Sequence, residues 1–251
     1  MSQNYSANSA PVGATSAHWD LLEAGAKMAT LDGWAVPTRF AGPDSELPAA
    51  RERVGMAEHG HVTKLRLQGP GVPDALAKLG NVPAIGTVTG ATVSSSRSGV
   101  DVQIARLAAT EAWLTASAGD HDGLLTTVEP LLQDGSVFDL TSSFSGVQLV
   151  GPHAASVVAS LTDLDLRQSN MPDLACAQTT LAEVYGLIVR ADIWGLLSYR
   201  LYFGREYGMY VWESLIEAGE AYGMALIGSE ALSALTAAAP LPPEGGAPKQ
   251  A

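Results

Sequence analysis

The sequence predicts an α+β fold made of two duplicated units, each an antiparallel sheet carrying helices. Three observations predict it. An alternating strand, Lys64-Leu65-Arg66-Leu67-Gln68, runs into Gly69-Pro70 and then a helical stretch. The same order returns at Val147-Gln148-Leu149-Val150, Gly151-Pro152 and a helix over 154–161. After each Gly-Pro come two or three short alternating strands and then an amphipathic helix. Glycine permits a sharp turn, and proline with its fixed φ is pre-organised for the first turn of a helix. The halves span about 18–135 and 136–235. The ends, 1–17 and the Pro-, Ala- and Gly-rich 236–251, read as disordered tails.

Residues 18–27 read as a short helix with Leu21, Leu22 and Ala26 on its apolar side. Residues 30–48 read as loop, because Gly33, Pro37, Gly42, Pro43 and Pro48 break any long periodicity. A short charged helix ends at Gly55, before the first strand. A helix over 72–79 turns Leu76 and Leu79 to the core. A strand is expected at 92–96, a turn at Arg97-Ser98-Gly99, and a strand over 100–107 with Val100, Val102 and Ile104 on one face. A strand at 112–116 and a helix over 122–132, capped by Asp120 or His121, close the first half. In the second half, 176–184 and 186–190 predict a hairpin turning at Tyr185-Gly186. A strand over 198–203 and a helix over 207–222 follow, the helix with Val211, Leu215 and Ala218 inward.

The 251 residues are 47% hydrophobic and 16% charged, which suits a soluble globular chain. A net charge of −12 argues against a nucleic-acid or anionic-membrane partner, since both need a basic footprint. The single cysteine, Cys176, excludes an intramolecular disulfide and a cysteine-based zinc site. There is no secretory signal and no apolar run of membrane-spanning length, so the expected compartment is the cytoplasm. No Gly-rich dinucleotide loop, Walker pattern or nucleophile elbow occurs, so any flavin would belong to another subunit. Asp101 follows a glycine turn at the start of a strand with apolar alternate residues. A carboxylate held there in a low-dielectric setting would make a proton acceptor. His59 and His61 without a carboxylate cluster are not read as a metal site. Trp34, Trp113, Trp194 and Trp212 are candidate stacking or core residues.

Gly25-Ala26-Lys27-Met28, Gly33-Trp34, Pro37, Arg51, Gly55-Met56, His61 and Gly69-Pro70 stand at one family's spacing without a gap. In this the chain resembles the aminomethyltransferase (glycine-cleavage T-protein) family, with its tetrahydrofolate-dependent demethylases and folate-binding oxidase subunits. The resemblance implies that family's folate-binding domain without its C-terminal barrel, and tetrahydrofolate as cofactor. It places Asp101 at the second, catalytic and folate-contacting aspartate of a pair whose first member is Val100 here. Ser117 takes the place of a family asparagine and loses the two-sided amide. The family pattern R-x-G-Y-T-G-E-x-G-[FY]-E, laid on 200–210 with one shift, gives Arg200, Tyr202, Gly204 and Gly208. It puts Tyr210 where a glutamate recognises the pterin edge, with Glu206 nearby. Glu230 replaces the arginine that would hold the folate tail, leaving Arg190, Arg200 or Arg205 to take over that role.

A second resemblance rests on Asp139-Leu140-Thr141-Ser142, Leu149-Val150-Gly151-Pro152, Asp165-Leu166 and Cys176-Ala177-Gln178-Thr179. These are similar to the small gamma subunit of heterotetrameric sarcosine oxidase, which also lacks the barrel. Two functions are thus implied. One is tetrahydrofolate-dependent one-carbon transfer on a small amine or methyl donor, with Asp101 handling the proton, Tyr202 at the pterin, and Ser117 and Tyr210 lining the pocket. The other is a non-catalytic subunit of an amine oxidase or demethylase, with a flavoprotein or other subunit as partner.

Overall fold

The structure is a computed structural model that describes residues 5–6, 13–94 and 99–237. The first stretch contains β1 (Tyr5–Ser6), β2 (Gly13–Ala14), α1 (His18–Glu23), β3 (Lys27–Leu31), β4 (Trp34–Arg39), α2 (Pro43–Glu52) and β5 (Gly55–Glu58). The first half proper is β6 (Thr63–Gln68), α3 (Val72–Lys78), β7 (Val88–Ser94), β8 (Gly99–Ala108), β9 (Glu111–Ala116) and α4 (His121–Val128). The second is β10 (Ser136–Asp139), β11 (Phe144–Val150), α5 (Ala154–Ala159), β12 (Cys176–Leu181), β13 (Val184–Arg190), β14 (Ser198–Gly204) and α6 (Gly208–Glu220). Short β15 (Ala225–Leu226) and α7 (Ser229–Ala237) follow.

The duplication is visible in the strand order. Of the three sheets among the described residues, the smallest is β1-β3-β4-β2, one of the larger two runs β10-β6-β9-β8-β7 and the other β12-β13-β14-β11-β5-β15. The four strands after each lead-in are therefore arranged alike, β6-β9-β8-β7 and β11-β14-β13-β12. The lead-in strands are exchanged. β5, which precedes β6, pairs antiparallel with β11 of the other half, Val147 opposite Glu58. β10, which precedes β11, pairs antiparallel with β6, Asp139 opposite Leu65. Neither half closes its sheet without a strand from the other, so the two halves form one body.

Period-two burial sets the layers. Leu65, Leu67, Val100, Val102, Ile104 and Leu114 face outward from the five-stranded sheet onto Leu76 of α3 and Leu124 of α4. Val147, Leu149, Ile188, Leu201 and Phe203 face Leu21, Val157, Val211 and Leu215 on α1, α5 and α6. The inner faces meet in a smaller layer of Val62, Val88, Ala105, Trp113, Leu187, Val189 and Tyr202.

Four expectations change. The region expected to be loop at 30–48 holds β4 and most of α2. Pro43 starts that helix and does not break it, and the buried Glu46 carboxylate accepts from the amides of Phe40, Gly42 and Gly228. The hairpin turns at Ala182-Glu183, both at positive φ, while Tyr185 and Gly186 are already paired with Thr180 and Thr179. No side-chain cap hydrogen bond forms at Asp120 or His121. Of the expected N-terminal tail, residues 13–17 are ordered. Gly13–Ala14 pair with β4, and Ala17 lies in the core. The rest of that tail apart from β1, the other tail beyond Ala237, and Arg97-Ser98 lie outside the described residues. Among the described residues, no helix is long and apolar enough to cross a membrane.

Candidate functional site between the two sheets

The inner faces of β8, β9 and β14 bring Gln103, Trp113, Thr115, Arg200 and Tyr202 together. Arg200 reaches from one sheet to the other and donates through Nη1 to Gln103 Oε1. Tyr202 is buried and its ring lies 5.7 Å from that of Trp113, which meets Phe144 edge-on at 5.1 Å. The His59 ring is 6.1 Å from Tyr202. The space left is a cavity of about 10 Å³, lined by Val88, Gln103, Ala105, Trp113, Thr115, Val189 and Tyr202. Burial pushes the Tyr202 phenol above its ordinary pKa, with Arg200 opposing. Burial, then Arg200, His61 and Lys64, hold His59 well below the usual imidazole range, so it is neutral.

Beside this layer lies a polar floor. Lys64 is fully buried, its Nζ donating to the carbonyls of Gly60 at 2.6 Å and Val62 at 2.8 Å. Burial lowers its pKa to about 8 against the opposing carboxylates of Glu58 and Asp139. Glu58 accepts from the Gly60 amide and meets His61 Nδ1 at 3.1 Å. His61 is thus tied to a carboxylate. Among the described residues, no group of three or more His, Cys, Asp and Glu could hold a metal ion.

The structure assembles the residues singled out by sequence only in part. Arg200 and Tyr202 converge. Asp101 lies two residues from Gln103 on β8, but it is exposed and accepts from Thr92 Oγ1 at 2.8 Å. The low-dielectric setting expected for it is absent, because Asp101 lies on the face opposite the buried Val100 and Val102, and β9 pairs with β8 only from Gln103. Ser117 is exposed and donates to Asp120 Oδ2 at 2.8 Å. Arg205 is exposed and holds Ala14 O at 2.7 Å. Tyr210 is exposed on α6 and lines a separate open groove of about 810 Å³ with Asp163, Glu183, Ser214 and Glu217. Arg190 is buried and donates to Asp192 and to Met171 O. Trp113 and Trp212 are core residues, and Trp194 is exposed with its Nε1 on Thr236 O.

Sequence reasoning missed Gln103, which carries no motif of its own. It also missed a register. The family pattern laid on 200–210 also fits 190–200 without a shift, with Arg190, Gly195 and Tyr199 at its arginine, second glycine and aromatic positions. That segment is the end of β13, a turn with Gly195 at φ +86°, and the start of β14. In this register Arg200 takes the final glutamate's position. Among the described residues, the cavity between the sheets is too small for tetrahydrofolate. Pockets for ligands of that size are roughly 300–1,000 Å³, and the inward group is a guanidinium donor where the pattern has a carboxylate acceptor.

Comparison with known proteins agrees with this architecture. Residues 17–242 match the GCVT N-terminal domain. The chain belongs to that family. Curated relatives include aminomethyltransferases of Streptomyces coelicolor, 27% identical over 80% of this chain and 55% of the relative, and of Symbiobacterium thermophilum, 27% identical over 88% and 62%. The chain therefore spans a little over half the length of the curated relatives it matches. Among solved structures, the glycine cleavage system aminomethyltransferase T of Bartonella henselae shares the fold at a TM-score of 0.77. It is 20% identical over 89% of this chain and 61% of its own. A chain of heterotetrameric sarcosine oxidase from Corynebacterium sp. U-96 matches at 0.59 and 26% identity, over 73% of this chain and 93% of its own.

Proposed function

We propose that this chain is a GCVT-type subunit of a heteromeric amine-oxidising or demethylating enzyme, with a flavoprotein subunit as partner and the cytoplasm as its compartment. The observation that carries this reading is the closed interior: Arg200 and Gln103 join the two sheets and leave about 10 Å³. A pterin presents donor groups along its recognised edge, and Arg200 offers only donors there. The near-complete coverage of a sarcosine oxidase chain supports the same reading. In this role the fold contributes surface and stability, and Asp101 does no chemistry.

The test is purification of the tagged chain from its own cells. The reading expects recovery at fixed stoichiometry with a flavin-bearing subunit, and oxygen uptake that depends on an added secondary amine. Recovery as a free chain would overturn it.

A second reading is favoured by the curated aminomethyltransferase relatives and the retained Asp101. Here the chain carries out tetrahydrofolate-dependent one-carbon transfer from a small amine or methyl donor. The folate would lie at the exposed rim near Asp101 and Ser117. Tyr202, Tyr210, Arg200 and Arg205 are too dispersed to complete one pocket, which makes this the weaker of the two.

A further inference from the structure

We propose that the inter-sheet cavity is a binding site for one small monatomic anion of chloride size. Two side chains that line it are more than nine-tenths buried and carry polar atoms without a partner at hydrogen-bonding geometry. These are Trp113 Nε1 and Tyr202 Oη, the latter with Thr115 beside it. The indole N–H can only donate, and a phenol can. Arg200 flanks the cavity through its bond to the lining residue Gln103, and its Nε is a third buried donor without an acceptor. Leaving such donors unmade costs roughly 1–3 kcal/mol each, so an acceptor among them is strongly favoured.

The sign of the site follows from charge. Arg200 makes no ion pair with a carboxylate among the described residues, and its one described acceptor is the neutral Gln103 amide. No Asp or Glu lines the cavity. A half-buried cation beside donor groups that lack an acceptor attracts an anion. Size sets the class. A volume of about 10 Å³ open to the centre of a water-sized sphere holds one monatomic ion, and a carboxylate or phosphate exceeds it.

The experiment uses the whole chain. Crystals are transferred from chloride to sodium bromide and measured at the bromine edge. The proposal expects one anomalous peak within hydrogen-bonding distance of Trp113 Nε1. In solution, Tm should rise saturably with bromide against sodium gluconate at matched ionic strength. Trp113→Phe keeps the ring and removes the donor, and should raise the half-saturating concentration about tenfold. Arg200→Gln should abolish the rise. An ordered water with no anomalous signal in the unaltered chain would overturn the proposal, as would an equal Tm rise in Arg200→Gln.

Discussion

Arg200 on one sheet and Gln103 on the other are joined side chain to side chain across the centre of the molecule. They link the two duplicated units. Gln103→Ala strips the guanidinium of that acceptor and should cost about 1–3 kcal/mol. Urea unfolding checks this. A double-mutant cycle with Arg200→Ala should show the two losses to be non-additive, and simple additivity would mean that the contact contributes nothing.

Gly69 and Gly151 give the exchanged lead-in strands their tightest test. Their φ values are +139° and +134°. A Cβ on Gly69 would lie 2.4 Å from Gly135 Cα, and one on Gly151 would lie 2.4 Å from Ala50 O. Each neighbour is backbone just ahead of, or packed beside, the other half's incoming strand. Gly69→Ala and Gly151→Ala should each destabilise by about 2–4 kcal/mol, from left-handed strain together with a backbone clash. Denaturant midpoints would show it. A mild effect at either site would contradict the equivalence of the two crossings.

Lys64 makes stability rise with pH. Its pKa in the folded chain is about 8, below the 10.5 of the free side chain. Between these values the unfolded chain binds the proton and the folded chain does not, so stability increases with pH across that window. The full interval corresponds to about 3 kcal/mol. The Cys176 thiol, pushed up to about 12 by burial, acts in the opposite sense above pH 9. The difference between the wild-type chain and Lys64→Met removes the cysteine contribution. That difference should grow in favour of the wild type from pH 8 to pH 10, as read by urea unfolding at each pH. A pH-independent difference would place an ordinary pKa on Lys64.

The Ala182-Glu183 turn holds two non-glycine residues at φ +47° and +64°. Two-residue hairpins of this hand favour glycine. Glu183 is exposed, so Glu183→Gly should stabilise by about 0.5–1 kcal/mol. A thermal scan would register a higher Tm. Ala182→Gly should do the opposite, because Ala182 packs in the core.

The repeated strand-Gly-Pro-helix order made the duplication legible, because Gly69 and Gly151 are each required by a backbone approach at the same place in each half. Alternation at Val100, Val102 and Ile104 marked the outer face of β8 correctly. The exchange of β5 and β10 left no local signal, since strand pairing between distant segments depends on partners and not on the strand's own residues. The hairpin turn was displaced because Tyr185-Gly186 looks like a turn while Ala182-Glu183 does not. The inner layer was the least legible part. Asp101 carries a family position yet lies exposed, whereas Gln103 carries no motif yet accepts from Arg200.

Among the described residues, Arg200 and Gln103 leave the interior too small for a folate. The most direct measurement is anaerobic calorimetric titration of the folded chain with tetrahydrofolate, alongside Asp101→Ala. An interior closed in this way predicts no saturable heat up to about 1 mM ligand, a binding free energy weaker than about 4 kcal/mol. Saturable binding by the wild-type chain that weakens in Asp101→Ala would contradict it and place the cofactor at Asp101.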